Sequence, residues 1–251
     1  MEKRTPLIAG NWKMFKTCSQ AVQTARQLVK LIGTVSDVDV MIAPPFTALE
    51  PVSHIIKQSP VAMGSQDIFW EPRGAFTGQI SAEMIVSAGC RYAIIGHSER
   101  RQYFNETDQT VNKKIACALN NYLIPIMCVG ESEHEREAEK TFSVLDKQIK
   151  KGLENLSSNK LQSLIIAYEP VWAIGTGKTA STDQAQEVHQ YIRGVIQKES
   201  GNKLAASIRI LYGGSVKPDN IAALMSMPDV DGALVGGASL DAETFQAIIQ
   251  F

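Results

Sequence analysis

Short apolar runs recur along the whole chain, and the stretches between them place apolar residues at helical spacing. Each run is apolar over four to six residues without alternation, and most runs end at glycine, proline or a polar residue. Continuous runs of this length are typical of strands that are buried on both faces of a parallel sheet. The eight runs lie at 6–10, 39–44, 61–65, 92–96, 124–130, 164–170, 208–214 and 232–237.

The intervening stretches predict helices with recognisable starts. Thr17 or Ser19 can cap a helix that runs through Leu31. Thr107 can cap a second helix, and Ser132 opens a long charged one with many oppositely charged pairs four residues apart. The other predicted starts are Pro218 as a first helical residue and Asp241 as the cap of the last helix.

Strand, loop and helix therefore alternate eight times. Right-handed crossovers between parallel strands allow either an open doubly wound sheet or a closed barrel. Eight units in 251 residues fit a closed eight-stranded parallel (β/α)8 barrel, and no linker or composition shift divides the chain. We therefore expect one barrel domain over 1–251.

In such barrels the active site lies where the strands run into the loops that follow them. The residues just after the apolar runs include unusually many charged, polar and glycine residues for loop starts. Closure of the barrel would bring them together at one mouth. They are Asn11, Lys13, His97, Glu99, Cys128, Glu131, Glu169, Gly213, Gly214, Ser215, Gly236 and Gly237.

Composition and charge limit the classes of binding partner and the cellular location that the sequence predicts. A net charge of −1 gives no basic excess for nucleic acid or an anionic membrane. The apolar run near the N-terminus is too short for a signal peptide, and no stretch reaches the length of a membrane span. The four cysteines are far apart, which favours reduced thiols and a cytoplasmic location.

The segment 167–180, AYEPVWAIGTGKTA, imitates two nucleotide-binding motifs. A phosphate-binding loop that ends at Gly177 needs a glycine where Trp172 stands, and the indole would block the backbone cradle. A dinucleotide fingerprint starting at Gly175 fails because six residues separate it from the strand. Stiff ends and a small-residue tip instead indicate a lid over a site.

His97 and Glu99 also match the HxE element of zinc deaminases. That metal site needs a PCxxC partner, which is missing after Pro125, and the four histidines are scattered. The sequence therefore predicts no metal site.

Six motifs follow one another over nearly the whole chain. They are AGNWKM at 9–14, GAFTGQIS at 74–81, GHSERR at 96–101, AYEPVWAIGTGKTA at 167–180, YGGSV at 212–216 and GALVGGASL at 232–240. Together, in order and spacing, they resemble the motifs of the triosephosphate isomerase family. The resemblance implies interconversion of dihydroxyacetone phosphate and glyceraldehyde 3-phosphate through an enediolate, on an eight-stranded barrel, with no cofactor and no metal.

The resemblance also implies roles for the polar residues. Glu169 matches the base, with a pKa raised by a closed lid. His97 matches a neutral electrophile whose pKa is lowered by a helix N-terminus, for which the family is a well-known example. Lys13 and Asn11 are expected to bind the substrate and stabilise the developing oxyanion, and Glu99 to pair with Lys13 or share protons with the substrate.

For the substrate phosphate, the family uses backbone N–H groups that match Gly175, Ser215, Gly236 and Gly237. Barrels often hold phosphate at the loops after their seventh and eighth strands, so the residues and the resemblance agree here. The lid, 167–180, would exclude water and suppress loss of phosphate from the enediolate.

The 74–81 loop resembles the arm that reaches into a partner subunit, which implies a homodimer. Thr77 would then point toward the neighbour's Asn11 and Lys13. Gln79 stands where the family commonly has glutamate, so one charged contact between subunits is in question.

Two other functions fit part of the pattern. A Schiff-base aldolase on the same barrel would use Lys13 as its nucleophile. A non-catalytic phosphate-ligand binding protein would keep the glycines and tolerate loss of Glu169, although the presence of His97 together with Glu169 argues against it.

Overall fold

The structure, a computed structural model, describes residues 4–34, 36–173 and 180–251. Eight parallel strands form a closed barrel in chain order, and the first strand pairs with the eighth. The predicted fold is confirmed, and every predicted run contains or overlaps a strand. The strands are β1 (Leu7–Asn11), β2 (Asp39–Ala43), β3 (Val61–Ser65), β4 (Tyr92–Ile95), β5 (Ile124–Val129), β6 (Ile165–Tyr168), β7 (Arg209–Tyr212) and β8 (Gly232–Val235).

Helices surround the barrel in the described ranges. They are α1 (Cys18–Ile32), α2 (Leu49–Ile56), α3 (Ala82–Ser87), α4 (Ser98–Phe104), α5 (Asp108–Asn120), α6 (Glu133–Glu137), α7 (Thr141–Gly152), α8 (Thr182–Ser200), α9 (Asn202–Ser207), α10 (Ile221–Met225) and α11 (Ala242–Ile249). Short 3₁₀ helices lie at Phe46–Ala48, Lys160–Ser163, Val171–Ala173 and Gly237–Leu240.

The strands lie between two apolar layers, which explains why their sequences do not alternate. In β1, Leu7 and Ala9 belong to the cluster inside the barrel, whereas Ile8 packs in the cluster between strands and helices. The apolar side chains of both layers are almost entirely buried, so the strands are packed on both faces.

Four of the predicted helix starts are confirmed, and one of them is Ser132, which caps α6 in a reciprocal capping box. Thr17 caps α1 and Thr107 caps α5, each in a reciprocal capping box. Asp241 caps α11, where its carboxylate accepts the Thr244 N–H at 2.9 Å. Each cap satisfies a backbone donor that the first turn would otherwise leave unpaired.

Two helix predictions are wrong. The charged helix expected from Ser132 is two helices, α6 and α7, because Glu139 adopts a left-handed φ of 56° and the Lys140 N–H bonds the Glu135 carbonyl. That arrangement ends α6 as a left-handed C-terminal cap does. Pro218 lies in a turn, and α10 begins three residues later at Ile221.

Candidate active site

Most of the predicted site residues line one cavity at the carboxyl ends of the strands. Its volume is about 260 Å³. Residues from β1, β4, β6, β7 and β8 or the loops after them meet there, although they are up to 227 positions apart in the chain. The lining residues are Asn11, Lys13, His97, Glu169, Gly213, Gly214, Ser215, Val216, Lys217, Leu234, Gly236, Gly237 and Ala238.

Asn11 and Lys13 are held by a tight turn at the end of β1. Asn11 is buried, and its side-chain oxygen accepts the Lys13 N–H at 3.0 Å. Lys13 has a φ of 49°, a conformation that non-glycine residues adopt mainly where surrounding structure enforces it. The Gln66 amide helps to enforce it by donating to the Lys13 carbonyl at 2.8 Å. The turn directs the ammonium group into the cavity.

Lys13 connects two sides of the mouth. Its Nζ lies 2.6 Å from Oε1 of Glu99, on the first turn of α4. Its side chain also passes close to Gly236, where a Cβ added to the glycine would lie 3.2 Å from the lysine Cε. A positive charge therefore stands between the imidazole side and the glycine side of the cavity. The ion pair with Glu99 would have to break before Lys13 could act as a Schiff-base nucleophile.

His97 is the N-terminal cap of α4 and is buried. Its Nδ1 accepts the Glu99 N–H at 3.3 Å, which requires a free lone pair on that nitrogen. The proton of the neutral ring is therefore on Nε2, which faces the cavity and lies 3.0 Å from Oε1 of Glu169. Capping thus fixes both the orientation and the tautomer of the ring.

Glu169 directly follows β6 and is almost completely buried. Its Oε2 accepts the Ser98 N–H at 2.9 Å, and its Oε1 lies 3.3 Å from the Ser98 hydroxyl. Its own N–H donates to the Val129 carbonyl at 2.7 Å, which continues the β5–β6 ladder by one residue. Gly213 leaves room for the side chain, because a Cβ there would lie 2.9 Å from the Cγ of Glu169.

The contact between these two side chains sets the direction of both pKa shifts. Burial raises the pKa of Glu169, but His97 and the Ser98 N–H lower it, and the net shift is downward. Burial lowers the pKa of His97, but Glu169 and Glu99 raise it, and the net shift is upward. Both directions differ from those expected from the sequence, because that expectation contained no direct bond between the base and the imidazole.

The opposite side of the cavity is made of backbone from β7 and β8. Gly236 and Gly237 follow β8, and Ser215 follows the two glycines after β7. The Gly236 carbonyl accepts the Ser239 N–H, which starts the 3₁₀ helix there. Glycines let backbone N–H groups approach an anion closely, so this side suits a phosphate.

The start of the predicted lid is anchored on a buried carboxylate. Oε1 of the fully buried Glu131 accepts the Trp172 Nε1–H at 2.9 Å and the Tyr168 hydroxyl at 3.1 Å. The Arg136 guanidinium lies 4.5 Å from the Trp172 ring centroid. Residues 174–179 are outside the described ranges, so the predicted contact of Gly175 and the lid tip is outside them too.

Sequence reasoning missed the role of Ser98, which binds both oxygens of Glu169. The residue is part of the quoted HSER motif, but its contact depends on α4 and β6 meeting in space. Reasoning also missed Lys217 and Val216 as lining residues. Cys128 is fully buried inside the barrel, as its predicted packing role requires.

Within the described ranges, no three or more His, Cys, Asp and Glu side chains are grouped so that they could hold a metal ion. In the same residues, no helix has both the length and the apolar character needed to cross a membrane.

A closed parallel barrel with a carboxylate, an imidazole and an ammonium group around one glycine-lined cavity defines a (β/α)8 enzyme of the acid–base class. Comparison with known proteins narrows the class. The profile of the triosephosphate isomerase family matches residues 6–251. The chain belongs to the triosephosphate isomerase family, and it is an isomerase that interconverts dihydroxyacetone phosphate and D-glyceraldehyde 3-phosphate.

Curated relatives agree over their full length. The chain is 52% identical over 248 residues to the triosephosphate isomerase of Geotalea uraniireducens, with 99% of each chain covered. It is 54% identical over 248 residues to that of Geobacter metallireducens, again with 99% of each covered. The crystal structure of triosephosphate isomerase from Bartonella henselae superimposes with a TM-score of 0.88 at 37% identity, covering 97% of each chain.

Proposed function

We propose that Glu169 moves the proton between the two adjacent carbons of the triose phosphate, while His97 and Lys13 stabilise the enediolate. The observation that carries this proposal is the single cavity of about 260 Å³, which Glu169, His97, Lys13 and Asn11 line together. A carbon acid needs a base on one side and hydrogen-bond donors at the oxygens, and few cavities provide both within the size of a triose.

Glu169 must leave His97 and Ser98 before it can reach a substrate carbon. In the described arrangement, those two residues stabilise its charged form and lower its pKa. Once the carboxylate turns toward the cavity, those bonds are lost and burial remains, which raises the pKa of a carboxyl group. The change strengthens the base at the moment at which it faces the substrate.

His97 then meets a substrate oxygen in place of Glu169. Its Nε2–H is already directed into the site by the bond between Nδ1 and the Glu99 N–H. Loss of the carboxylate neighbour removes the main influence that raises the pKa of His97, and burial favours the neutral ring. A neutral imidazole donates a hydrogen bond to the enediolate oxygen while the ring itself stays uncharged.

Lys13 and Asn11 complete the polar side of the site. The Lys13 ammonium stabilises negative charge on the enediolate and on the phosphate, because it lies beside Gly236. Asn11 holds the Lys13 turn through its side-chain oxygen and lines the same cavity. Glu99 keeps Lys13 in position through the 2.6 Å ion pair.

The phosphate is held by backbone N–H groups at Ser215, Gly236 and Gly237, with Gly175 of the lid completing the set. The glycines after β7 and β8 support this assignment because side chains there would fill the cradle. The lid, 167–180, closes over the phosphate and excludes water. The bonds from Trp172 and Tyr168 to Glu131 give its first part a fixed base.

A homodimer through the 74–81 loop is part of the proposal. Large apolar side chains are exposed in the loops or helices after β1, β3 and β4, including Met14 at 94% and Phe76 at 43%. Such exposure is unfavourable in water and is typical of a surface that binds a partner. The other exposed apolar residues there are Phe15, Tyr103 and Phe104.

In the dimer, Thr77 would reach the neighbouring subunit's Asn11 and Lys13 region. Gln79 removes one expected charge. Arg100, three residues after His97, pairs with Asp67 at 2.8 Å within the same subunit. Sedimentation equilibrium of the wild type and of Phe76→Arg tests this proposal. We expect a dimer for the wild type and a monomer for the variant. A monomeric wild type would refute it.

The enzyme is proposed to work in the cytoplasm on a free triose phosphate, without nucleic acid, membrane or cofactor. The four cysteines are unpaired in the described residues, which suits a reducing compartment. A net charge of −1 offers no general attraction for nucleic acid.

A coupled assay with D-glyceraldehyde 3-phosphate on the wild type and Glu169→Gln tests the catalytic assignment. Loss of a general base predicts a fall in kcat of about 10² to 10⁴-fold. Inhibition by inorganic phosphate should be unchanged, because the phosphate is held on the β7–β8 side of the site. Equal kcat values for the two proteins would remove Glu169 from its proposed role.

A further inference from the structure

The loop that follows β5 is hydrogen-bonded by one amide side chain from a helix outside the barrel. Gln148 lies on α7, and its Oε1 accepts the Gly130 N–H at 2.8 Å. Its Nε2 donates to the Gly130 carbonyl oxygen at 3.1 Å. The primary amide therefore pairs with both polar backbone groups of one residue, as a neighbouring strand would. These two bonds also determine which side-chain atom is the oxygen and which is the nitrogen.

Gly130 is pressed against the backbone of Glu169. A Cβ added to Gly130 would lie 1.7 Å from the Glu169 carbonyl oxygen, so nothing larger than hydrogen fits there. The side of Gly130 that faces β6 is therefore in direct backbone contact with the residue that carries the carboxylate. A shift of Gly130 toward β6 would therefore push against the Glu169 backbone.

One peptide unit joins the two contacts. The Val129–Gly130 peptide offers its N–H to Gln148 and its carbonyl to the Glu169 N–H at 2.7 Å. Because a trans peptide is planar and its N–H and C=O point in opposite directions, Gln148 and Glu169 hold the same rigid plane from its two edges. The next peptide is also held by Gln148, whose amide donates to the Gly130 carbonyl, and one peptide further on the Glu131 carbonyl accepts the Val171 N–H at 3.2 Å.

Close packing is weaker on the outer side of this loop. Gly130, Gln148 and Glu169 all line a second cavity of about 460 Å³, which opens between the loops after β4 and β5. Val129 and Ser98 line it too. On the side of this open cavity, the two directional bonds from Gln148 hold the Gly130 backbone.

We propose that Gln148 is a positioning residue for Glu169: through the Gly130 backbone, it sets the distance and angle from which the carboxylate reaches the substrate carbon. Gln148 does not line the substrate cavity, and it acts only through Gly130. The inference rests on the proposed role of Glu169 as the base. Asparagine would be too short for both bonds, and an apolar side chain of equal length could make neither.

Two variants separate positioning from general support of the fold. Gln148→Met keeps the length and removes both bonds. Gln148→Glu keeps the shape, but its ionised form cannot donate to the Gly130 carbonyl, whereas its protonated form can donate to the carbonyl and accept from the N–H. Lys147→Met is the matched control, because it makes a similar change at an exposed neighbour on α7.

The measurements are kcat with D-glyceraldehyde 3-phosphate and the inhibition constant of inorganic phosphate for each variant. We expect kcat of Gln148→Met to fall roughly tenfold, since a misplacement of about 1 Å can cost up to about a hundredfold. Phosphate inhibition should be unchanged, because the phosphate side of the cavity lies on β7 and β8. Lys147→Met should match the wild type in both.

The pH dependence gives the sharper result. Relative to the wild type, kcat of Gln148→Glu should rise as pH falls from about 8 to about 5.5, because protonation restores both bonds and partial burial raises the pKa of the new carboxyl. The ratio of kcat for Gln148→Met to kcat for the wild type should stay constant over the same pH range.

Unchanged kcat in Gln148→Met would overturn the inference, and so would parallel loss of kcat and phosphate binding. If Gln148→Met does not fold, Gln148→Glu is the deciding variant. Recovery of its kcat at acidic pH supports positioning, and a constant ratio of its kcat to that of the wild type refutes it. Glu169→Gln is assayed in parallel. Full activity of Glu169→Gln would refute the proposed base, whereas an inactive Glu169→Gln with a normal Gln148→Met would refute this inference alone.

Discussion

Oε1 of Glu169 lies 3.0 Å from Nε2 of His97, so the proposed base and the proposed electrophile are bonded to each other. Ser98 fixes this arrangement by binding the second carboxylate oxygen at 2.9 Å. The contact keeps the carboxylate charged and the imidazole oriented while the site has no substrate. Binding must replace this bond with contacts to the substrate, which couples occupancy of the cavity to movement of the base.

Ser98→Ala should shift the acidic limb of the pH profile of kcat/KM to higher pH. The Ser98 hydroxyl is 3.3 Å from Oε1 of Glu169 and favours the charged carboxylate. Its loss raises the pKa of Glu169, so less base is ionised at acidic pH. We expect a shift of about a few tenths of a unit, because the bond is long. Ser87→Ala on the exposed face of α3 is the control, and a limb that moves to lower pH would contradict the assignment.

His189 should make folding stability depend on pH. It is fully buried on α8 between Tyr168 and Tyr212, with its Nδ1 3.2 Å from the Asp229 carbonyl, and burial lowers its pKa to about 4. The unfolded chain binds the proton more tightly than the folded one. The contribution of His189 to the free energy of unfolding is therefore complete above a pH of about 6.5. It is lost as pH falls from there toward 4, by up to about 3 kcal/mol.

Urea unfolding of the wild type and His189→Gln at several pH values measures this effect. The variant should show a smaller loss of unfolding free energy between neutral and acidic pH than the wild type. Identical slopes for the two proteins would mean that His189 does not contribute to the pH dependence.

Lys114→Met should destabilise the fold by about 3–5 kcal/mol. The buried Lys114 ammonium lies 2.6 Å from Asp67 and also pairs with Glu106. Burial raises the pKa of Asp67, and Lys114 counteracts that rise, so removing the lysine leaves two buried carboxylates with Arg100.

The control for that experiment is Lys151→Met, which removes an exposed ion pair with Glu154. Its cost should be below about 1 kcal/mol, because exposed pairs contribute little. Urea midpoints for both variants give the comparison. Equal destabilisation by the two changes would contradict the importance of the buried cluster.

Deletion of 174–177 should increase the release of inorganic phosphate for each triose converted. The deletion keeps Trp172, which anchors the start of the lid on Glu131. A site that stays open lets the enediolate lose phosphate, and we expect the released fraction to rise by an order of magnitude. Phosphate assayed against product formed tests this, and an unchanged ratio would refute the shielding role.

The barrel was predictable because each strand is buried on both faces and so has a continuous apolar sequence. The positions of Asn11, Lys13, His97 and Glu169 followed from the same pattern, since side chains just after the strands meet at one mouth. A helix end such as Glu139 was not predictable, because the surrounding charges suit both a continuous and an interrupted helix.

Contacts between distant segments were also beyond sequence reasoning. The bond from Ser98 to Glu169 joins residues 71 positions apart, and that from Gln148 to Gly130 joins residues 18 positions apart. The directions of the pKa shifts at His97 and Glu169 depend on their mutual contact. Local patterns contain no information on which atoms of two packed elements face each other.

The most direct test of the account is the fate of the transferred hydrogen. Wild-type enzyme is allowed to convert D-glyceraldehyde 3-phosphate in D₂O, and the deuterium at carbon in the dihydroxyacetone phosphate is measured by NMR. A carboxylate base that passes the proton through an enediolate can exchange it with solvent, so the account predicts deuterium in the product. Product formed at full rate with no deuterium at carbon would contradict the account, because a carboxylate that exchanges even part of the abstracted proton with solvent leaves deuterium in the product.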